Sequence, residues 1–238
     1  MAGSVITVSA RVAAQPDLTW DVEEPFPAVY TKGPFPGFWG EWQSGLWEPD
    51  TIATLDRFVR PGSTFLDLGA CIGAHSLGAL ARGAHVIAIE PDPIAFSYLV
   101  ANCERNYRDR LWAVRAAVST CDGTSVLTHH PAGWGSSMSS LVRFDPQPDS
   151  VTVDCFTVQR LFADYAIDDC CLVKMDIEGT EVEILESVAP FLAQRGIPLR
   201  LSTHEDYWGG RRIDPAWFSG FSRVEGPLDG MEEATAIP

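Results

Sequence analysis

Three short stretches place chemically able side chains where an apolar run ends. The first is Asp67-Leu68-Gly69-Ala70-Cys71-Ile72-Gly73, which leaves the buried-strand pattern Thr64-Phe65-Leu66-Asp67-Leu68. A glycine there lets backbone approach a ligand, because no side chain intervenes. The second is Glu90, which closes His85-Val86-Ile87-Ala88-Ile89 seventeen residues beyond Gly73. A carboxylate so placed can accept both hydroxyls of a ribose; the plainer alternative is a tight turn and a surface glutamate. The third is Asp176-Ile177-Glu178-Gly179-Thr180-Glu181, after Cys171-Leu172-Val173-Lys174-Met175. A carboxylate that ends a buried strand is costly unless used or paired, which marks out Asp176. Glu181, Glu183 and Glu186 fit equally well as acids favoured by a helix N-terminus.

His204 follows a fifth apolar run, Leu199-Arg200-Leu201-Ser202-Thr203. Its near-neutral pKa suits a base for a hydroxyl proton, with an exposed polar loop as the alternative. Asp176, Glu178 and His204 also form a conceivable divalent-cation set, since carboxylate oxygens and imidazole suit such an ion. A metal-free role is favoured, because Glu178 comes from the same stretch as Asp176 and ligand sets usually converge from several elements.

The glycine turn also selects the nucleoside. A dinucleotide fingerprint is G-x-G-x-x-G, shaped to seat a pyrophosphate on a helix N-terminus. Here Cys71 stands where the second glycine belongs, and Asp67 precedes the turn. A carboxylate there repels a pyrophosphate but can hold an ammonium. S-adenosylmethionine, with an amino-acid end, a sulfonium, a ribose and no phosphate, matches those electrostatics.

The elements that must position these groups alternate. Asp50 is expected to cap a helix carrying Ile52, Leu55, Phe58 and Val59 on one face, stopped by Pro61-Gly62. The strand at 64–68, a helix at 74–82, the strand at 85–89, a helix opened by Asp92-Pro93, and a third strand at 111–118 follow. Strand-like runs at 125–128 and 151–155 flank a Gly/Ser/Pro-rich inserted loop at about 129–150. A helix near 158–165, strand four, a helix at 179–188, strand five and a late edge strand at 218–224 complete the pattern. It predicts an α/β fold, a mainly parallel twisted sheet with helices on both faces.

Two segments lie outside that rhythm. Residues 15–49 interleave Trp20, Phe26, Tyr30, Phe35, Phe38, Trp39, Trp42 and Trp47 with Pro25, Pro27, Pro34, Pro36 and Pro49. Prolines forbid a continuous helix there. We expect residues 1–49 to be an irregular aromatic segment, packed on the core, walling the substrate, or both. The principal domain is expected at 50–226, and the tail at 227–238 is expected to fray. In the inserted loop, Trp134 and serines 136, 137, 139 and 140 are candidates to close over the site.

Composition limits what such a site can serve. The chain has 238 residues, 46% of them hydrophobic and 21% charged, which is globular. Its formal net charge of −15 disfavours nucleic acid and anionic membrane surfaces. No apolar run reaches the ~18 residues of a membrane span, and no secretory signal is read at the start. Six cysteines without C-x-x-C spacing fit thiols in a reducing cytoplasm. Oligomeric state is left open.

Phe65 to Gly73, Val86-Ile87-Ala88-Ile89-Glu90-Pro91, and Val173-Lys174-Met175-Asp176-Ile177-Glu178-Gly179-Thr180-Glu181 resemble the FkbM-type S-adenosylmethionine-dependent methyltransferases, over about residues 45–205. Gly45-Leu46-Trp47-Glu48 and Leu99-Val100-Ala101-Asn102 are further landmarks of that resemblance. It implies a class I, Rossmann-like three-layer sandwich and O-methylation of a small-molecule hydroxyl on a natural product, sugar or glycolipid. Cofactor contacts are expected at Glu48, Asp67, Gly69, Ala70, Cys71, Gly73, His75, Glu90, Pro91, Ala117 and Asp176. Asp67 to Gly73 would line the methionine end and Glu90 the ribose. Asp176, His204 and Glu178 are the expected catalytic groups, the first two as proton acceptors and Glu178 as a positioner. Two departures are Cys71, where an asparagine is common, and Ser202, where many relatives carry a glutamate. The rival functions are a nicotinamide-dependent reductase on the same frame and a non-catalytic scaffold.

Overall fold

A computed structural model describes residues 5–12, 15–23, 37–131, 133–135, 137–230 and 232–238, with 5–12, 15–20 and 23 described as backbone only. The chain opens with an antiparallel hairpin of β1 (Val5–Val12) and β2 (Gln15–Glu23). Helices α1 (Phe38–Gln43) and α2 (Pro49–Phe58) follow. The alternating unit then runs β3 (Thr64–Leu68), α3 (Ala74–Ala81), β4 (His85–Ile89), α4 (Pro93–Tyr107) and β5 (Leu111–Val114). Next come β6 (Ala117–Val118), β7 (Gly123–Leu127), β8 (Val151–Phe156), α5 (Val158–Asp164), β9 (Cys170–Met175) and α6 (Glu181–Ala193). The chain closes with β10 (Leu199–Ser202), β11 (Arg223–Glu225) and β12 (Glu233–Ile237).

Seven strands form one sheet in the order β11-β12-β10-β9-β3-β4-β5. The five strands from β10 to β5 are parallel, and β12 runs antiparallel to both its neighbours. Successive side chains point to opposite faces of a strand. Phe65, Val86, Ala88 and Leu172 therefore pack with α1 to α4, while Leu66, Leu68, Ile87, Ile89, Val173 and Met175 pack with α5 and α6. Burial on both faces explains why these strands read as continuous apolar runs. The result is the three-layer α/β sandwich expected from the sequence.

Four expectations need correction. Residues 15–23 are a strand, because the interrupting prolines 25, 27, 34 and 36 all fall at 24–36, outside the described residues. Phe38, Trp39 and Trp42 are buried in one cluster with Leu55, Phe65 and Leu77, so these three rings are part of the core. The cap of α2 is Glu48, at φ 40°, with Pro49 in the first turn and Asp50 inside the helix. The run 111–118 breaks at Arg115-Ala116: β5 ends the large sheet, while β6 joins β8 and β7 in a separate three-stranded sheet. Finally, the tail does not fray. Ala234 and Ala236 are buried as β12 inserts between β10 and β11; backbone pairing and two small residues do what a long apolar run would otherwise signal.

Candidate active site

The carboxyl ends of β3, β4, β9 and β10 lie side by side, where parallel sheets bind ligands. Gly69 has φ +77°, and a Cβ there would meet the carbonyl oxygen of Asp176 at 1.8 Å. The glycine is therefore required by the close approach of two strand ends as well as by its turn. Asp176 N–H donates to Leu68 O at 3.0 Å, locking those ends together. A Cβ at Gly73 would meet Leu99 and Cys103, so that glycine serves helix packing.

Glu90 accepts from Cys71 N–H at 2.7 Å through Oε2 and from Asp92 N–H at 2.8 Å through Oε1. Burial, reinforced by the Asp92 charge, pushes its carboxyl up to about 8. Asp92 Oδ1 caps α4 at Ile94 N–H and Ala95 N–H. Its other oxygen accepts from Gly135 N–H at 2.9 Å and Ser139 Oγ at 2.5 Å, fastening the inserted loop to the end of β4.

Two cavities meet here. One lies between Cys71, Glu90, Pro91, Ala117, Asp176 and Glu178, with apolar walls from Ile89, Ala116, Val118, Leu127, Leu141 and Ile177. The other lies among Phe38, Trp47, Glu48, Ala70, Ile72, His75 and Lys174. Gly69, Cys71, Ser137 and Asp176 line both, so the two form one trough. Ser139 and Ser140 line the first; Ser136 lies outside the described residues. The aromatic segment thus walls the Glu48–His75 end, and Phe26, Tyr30 and Phe35 lie outside the described residues.

At that end Glu48 Oε2 and His75 Nε2 are buried 3.3 Å apart, and neither atom has a hydrogen-bond partner among the described residues. Burial, then the charge of Lys174, lower the His75 pKa to about 3, so its ring is neutral. Burial and the nearby Asp176 charge raise the pKa of Glu48. Asp67 does not line the trough. It is fully buried, accepts from Ser76 Oγ at 2.6 Å through Oδ2, and its Oδ1 lies 3.6 Å from Lys174 Nζ without a hydrogen-bond partner among the described residues. Lys174, its register partner on β9, also donates to Gly69 O at 3.2 Å and lies 3.4 Å from Asp176 Oδ2.

The other side of the trough belongs to β9 and β10. His204 Nε2 lies 3.5 Å from Asp176 Oδ1 and 3.7 Å from Glu178 Oε1. Its Nδ1 is 2.9 Å from Glu181 Oε1. Glu181 is fully buried and also accepts from the backbone N–H groups of Ile177 and Gly179. The expected helix-terminus acid is thus a brace for the loop that presents Glu178, which itself sits at φ 55°. Arg143, from the inserted loop, reaches Glu178 Oε2 at 3.2 Å and lies over the Tyr207 ring at 3.8 Å.

Burial alone would lower the His204 pKa, but the Glu181 hydrogen bond and the charges of Glu181, Asp176 and Glu178 push it up to about 9. With Nδ1 held by Glu181, Nε2 is the ring atom turned toward Asp176 and Glu178. Burial would raise Asp176, yet Lys174 and His204 hold it below the usual carboxylate range. Burial pushes Glu178 up to about 7, against the opposing charge of His204. Sequence reasoning missed Lys174, Asp92, Thr180 and Arg143. The lysine had a signal, being a charge inside an apolar strand; Arg143 had none.

A sheet of this order, with a glycine turn facing an acid on the next strand end, is that of the class I methyltransferases. The chain belongs to the family described as the methyltransferase FkbM domain, which it matches over residues 67–203. Similar solved structures include an FkbM methyltransferase from Methylobacillus flagellatus KT, at 16% identity and a TM-score of 0.48 over 83% of this chain. This chain covers 54% of that protein, about half its length. A precorrin-6y C5,15-methyltransferase from Geobacter metallireducens GS-15 aligns at 14% identity and a TM-score of 0.44, covering 80% of this chain and 87% of that one. An RNA methyltransferase from Salinibacter ruber, solved with S-adenosyl-L-homocysteine, aligns at 16% identity and a TM-score of 0.40, covering 80% and 92%. No curated protein matches the chain. Among the described residues no helix is long and apolar enough to cross a membrane.

Proposed function

We propose that the chain is an S-adenosylmethionine-dependent O-methyltransferase acting on a hydroxyl of a small molecule, such as a natural product, sugar or glycolipid, in the cytoplasm. The carrying observation is that the trough's two cavities meet at Gly69 and Asp176, with Glu178 lining the first of them beside Asp176. The residues fit the cofactor. Glu90 offers a carboxylate oriented by two N–H groups to a ribose, and the apolar walls beyond it suit a base. Glu48 and His75 present unpartnered buried atoms to the amino-acid end, taking the place expected of Asp67. When bound, S-adenosylmethionine supplies an electrophilic methyl on a sulfonium.

Asp176 and Glu178 orient the acceptor hydroxyl and receive its proton, while Lys174, Arg143 and His204 keep the pair from repelling itself. Alignment of this kind is the main catalytic requirement of an in-line displacement. The charge of −15 favours a small acceptor over nucleic acid, as does the absence of an Asn/Asp-Pro-Pro-Tyr/Phe stretch. The six free cysteines suit a reducing compartment.

The test is calorimetry with S-adenosylmethionine and with NADH, followed by a mass-spectrometric screen of hydroxylated small molecules and a structured RNA. Binding of S-adenosylmethionine alone, and a one-methyl gain on a hydroxyl compound, is the expected outcome. Preference for NADH, or methylation of the RNA only, would sink the reading.

A further inference from the structure

The Asp176 and Glu178 carboxylates each have one oxygen turned outward to a fixed cation. Asp176 Oδ2 faces Lys174 and Glu178 Oε2 faces Arg143. Their remaining oxygens, Oδ1 and Oε1, turn toward His204 Nε2, at 3.5 and 3.7 Å. Neither approach is a hydrogen bond of normal length. The opposite ring nitrogen is held by Glu181 at 2.9 Å, which fixes the ring and leaves Nε2 as the atom aimed at the two oxygens. Ligand atoms from Asp176, Glu178 and His204 all lie within 4.8 Å of one another. That is the span available around one ion bound at about 2.0–2.4 Å.

A separate observation points the same way. Thr180 is 1% exposed and lines the crevice with Asp176 and Glu178, yet its Oγ1 has no hydrogen-bond partner among the described residues. A hydroxyl left so is an acceptor for something that enters the crevice, such as water on an ion.

We propose that Asp176, Glu178 and His204 hold a divalent cation of the Mg²⁺ or Mn²⁺ kind, with Glu181 as the brace behind the imidazole. Two carboxylate oxygens and one imidazole suit such an ion, and a carboxylate behind a ligating histidine is the usual orienting device. Three protein ligands leave positions open on the crevice side. An acceptor hydroxyl there has its oxygen fixed against the ion and its acidity raised. This role rests on the methyltransferase reading above; the cation site itself does not.

Mn²⁺ titration of the full chain, read as loss of the free-ion electron paramagnetic resonance signal, tests it. The parent is expected to bind one Mn²⁺ per chain. Glu178→Gln and His204→Ala should weaken binding by about 10–100-fold, while His129→Gln, away from the crevice, should not. Circular dichroism and S-adenosylmethionine calorimetry on the same samples show that each variant is folded, and Asp176→Asn replaces any that is not. Absence of Mn²⁺ binding at millimolar ion, or equal binding in parent and folded variants, overturns the site while leaving the methyltransferase reading intact. Mn²⁺ binding without S-adenosylmethionine binding supports the site and overturns the function.

Discussion

His75 and His204 flank the same trough and are almost equally hidden, 6% and 7% exposed. Burial disfavours the charged ring in both. Yet His75 is held neutral, its pKa lowered to about 3, while His204 is raised to about 9. The difference lies behind the ring. His204 has the Glu181 side chain hydrogen-bonded to Nδ1 and two more acidic side chains in front. His75 has the Lys174 charge in its surroundings, with Glu48 poorly aligned at 3.3 Å. Depth in the protein therefore does not set a buried group's charge; the partners it meets there do. One end of the trough can accommodate an amino acid's own charges, and the other already carries a dense set of ions.

Lys174 joins the two ends, so replacing it should have the largest effect. Lys174→Met leaves the fully buried Asp67, and the half-buried Asp176, without the lysine, a loss of about 3–5 kcal/mol of stability. A chemical denaturation midpoint close to the parent's would show that the lysine is not the shared keystone.

Glu90→Ala should act on the cofactor end alone. It removes the hydrogen bonds of the Glu90 carboxyl to the ribose, worth about 0.5–1.5 kcal/mol each, or about one to two decades in S-adenosylmethionine affinity for the two together. Calorimetry checks it, and undiminished affinity would free Glu90 from that role.

A third effect, confined to acid pH, sharpens the comparison of the histidines. A histidine whose pKa is lower folded than unfolded binds protons preferentially when unfolded. The sign follows: stability is intact above about 6.5 and lost as pH falls from there toward 3. One such group gives a slope of at most about 1.4 kcal/mol per pH unit. His75→Gln should flatten that acid limb in thermal melts between pH 4 and 7. An unchanged limb would mean that other buried groups dominate it.

Much of the frame was legible because strands buried on both faces are written as unbroken apolar runs, as in Val86-Ile87-Ala88-Ile89. The strand β12 was not, since Glu233-Ala234-Thr235-Ala236-Ile237 is held by backbone pairing and offers little apolar length. The turn from Asp67 to Gly73 announced a ligand, but the roles within it were assigned one layer too far out: Asp67 lies behind the wall, and Gly69 is demanded by Asp176 O. Such errors arise because spacing locates a turn, whereas the direction of a side chain depends on a strand far away in sequence. Arg143 was invisible for the same reason; nothing local tells an arginine in a Gly/Ser-rich loop that Glu178 waits across the crevice.

The pairing of β3 with β9 joins distant parts of the chain. Lys174 Nζ reaches Gly69 O across 105 residues. Closing a loop of that length has an entropic cost that local contacts do not bear. Without β9 the Gly69 turn has no floor and Asp67 no lysine beside it, so the local βαβ unit that carries the glycine turn does not make the trough by itself. Ligand capacity in this protein depends on strands far apart in the chain.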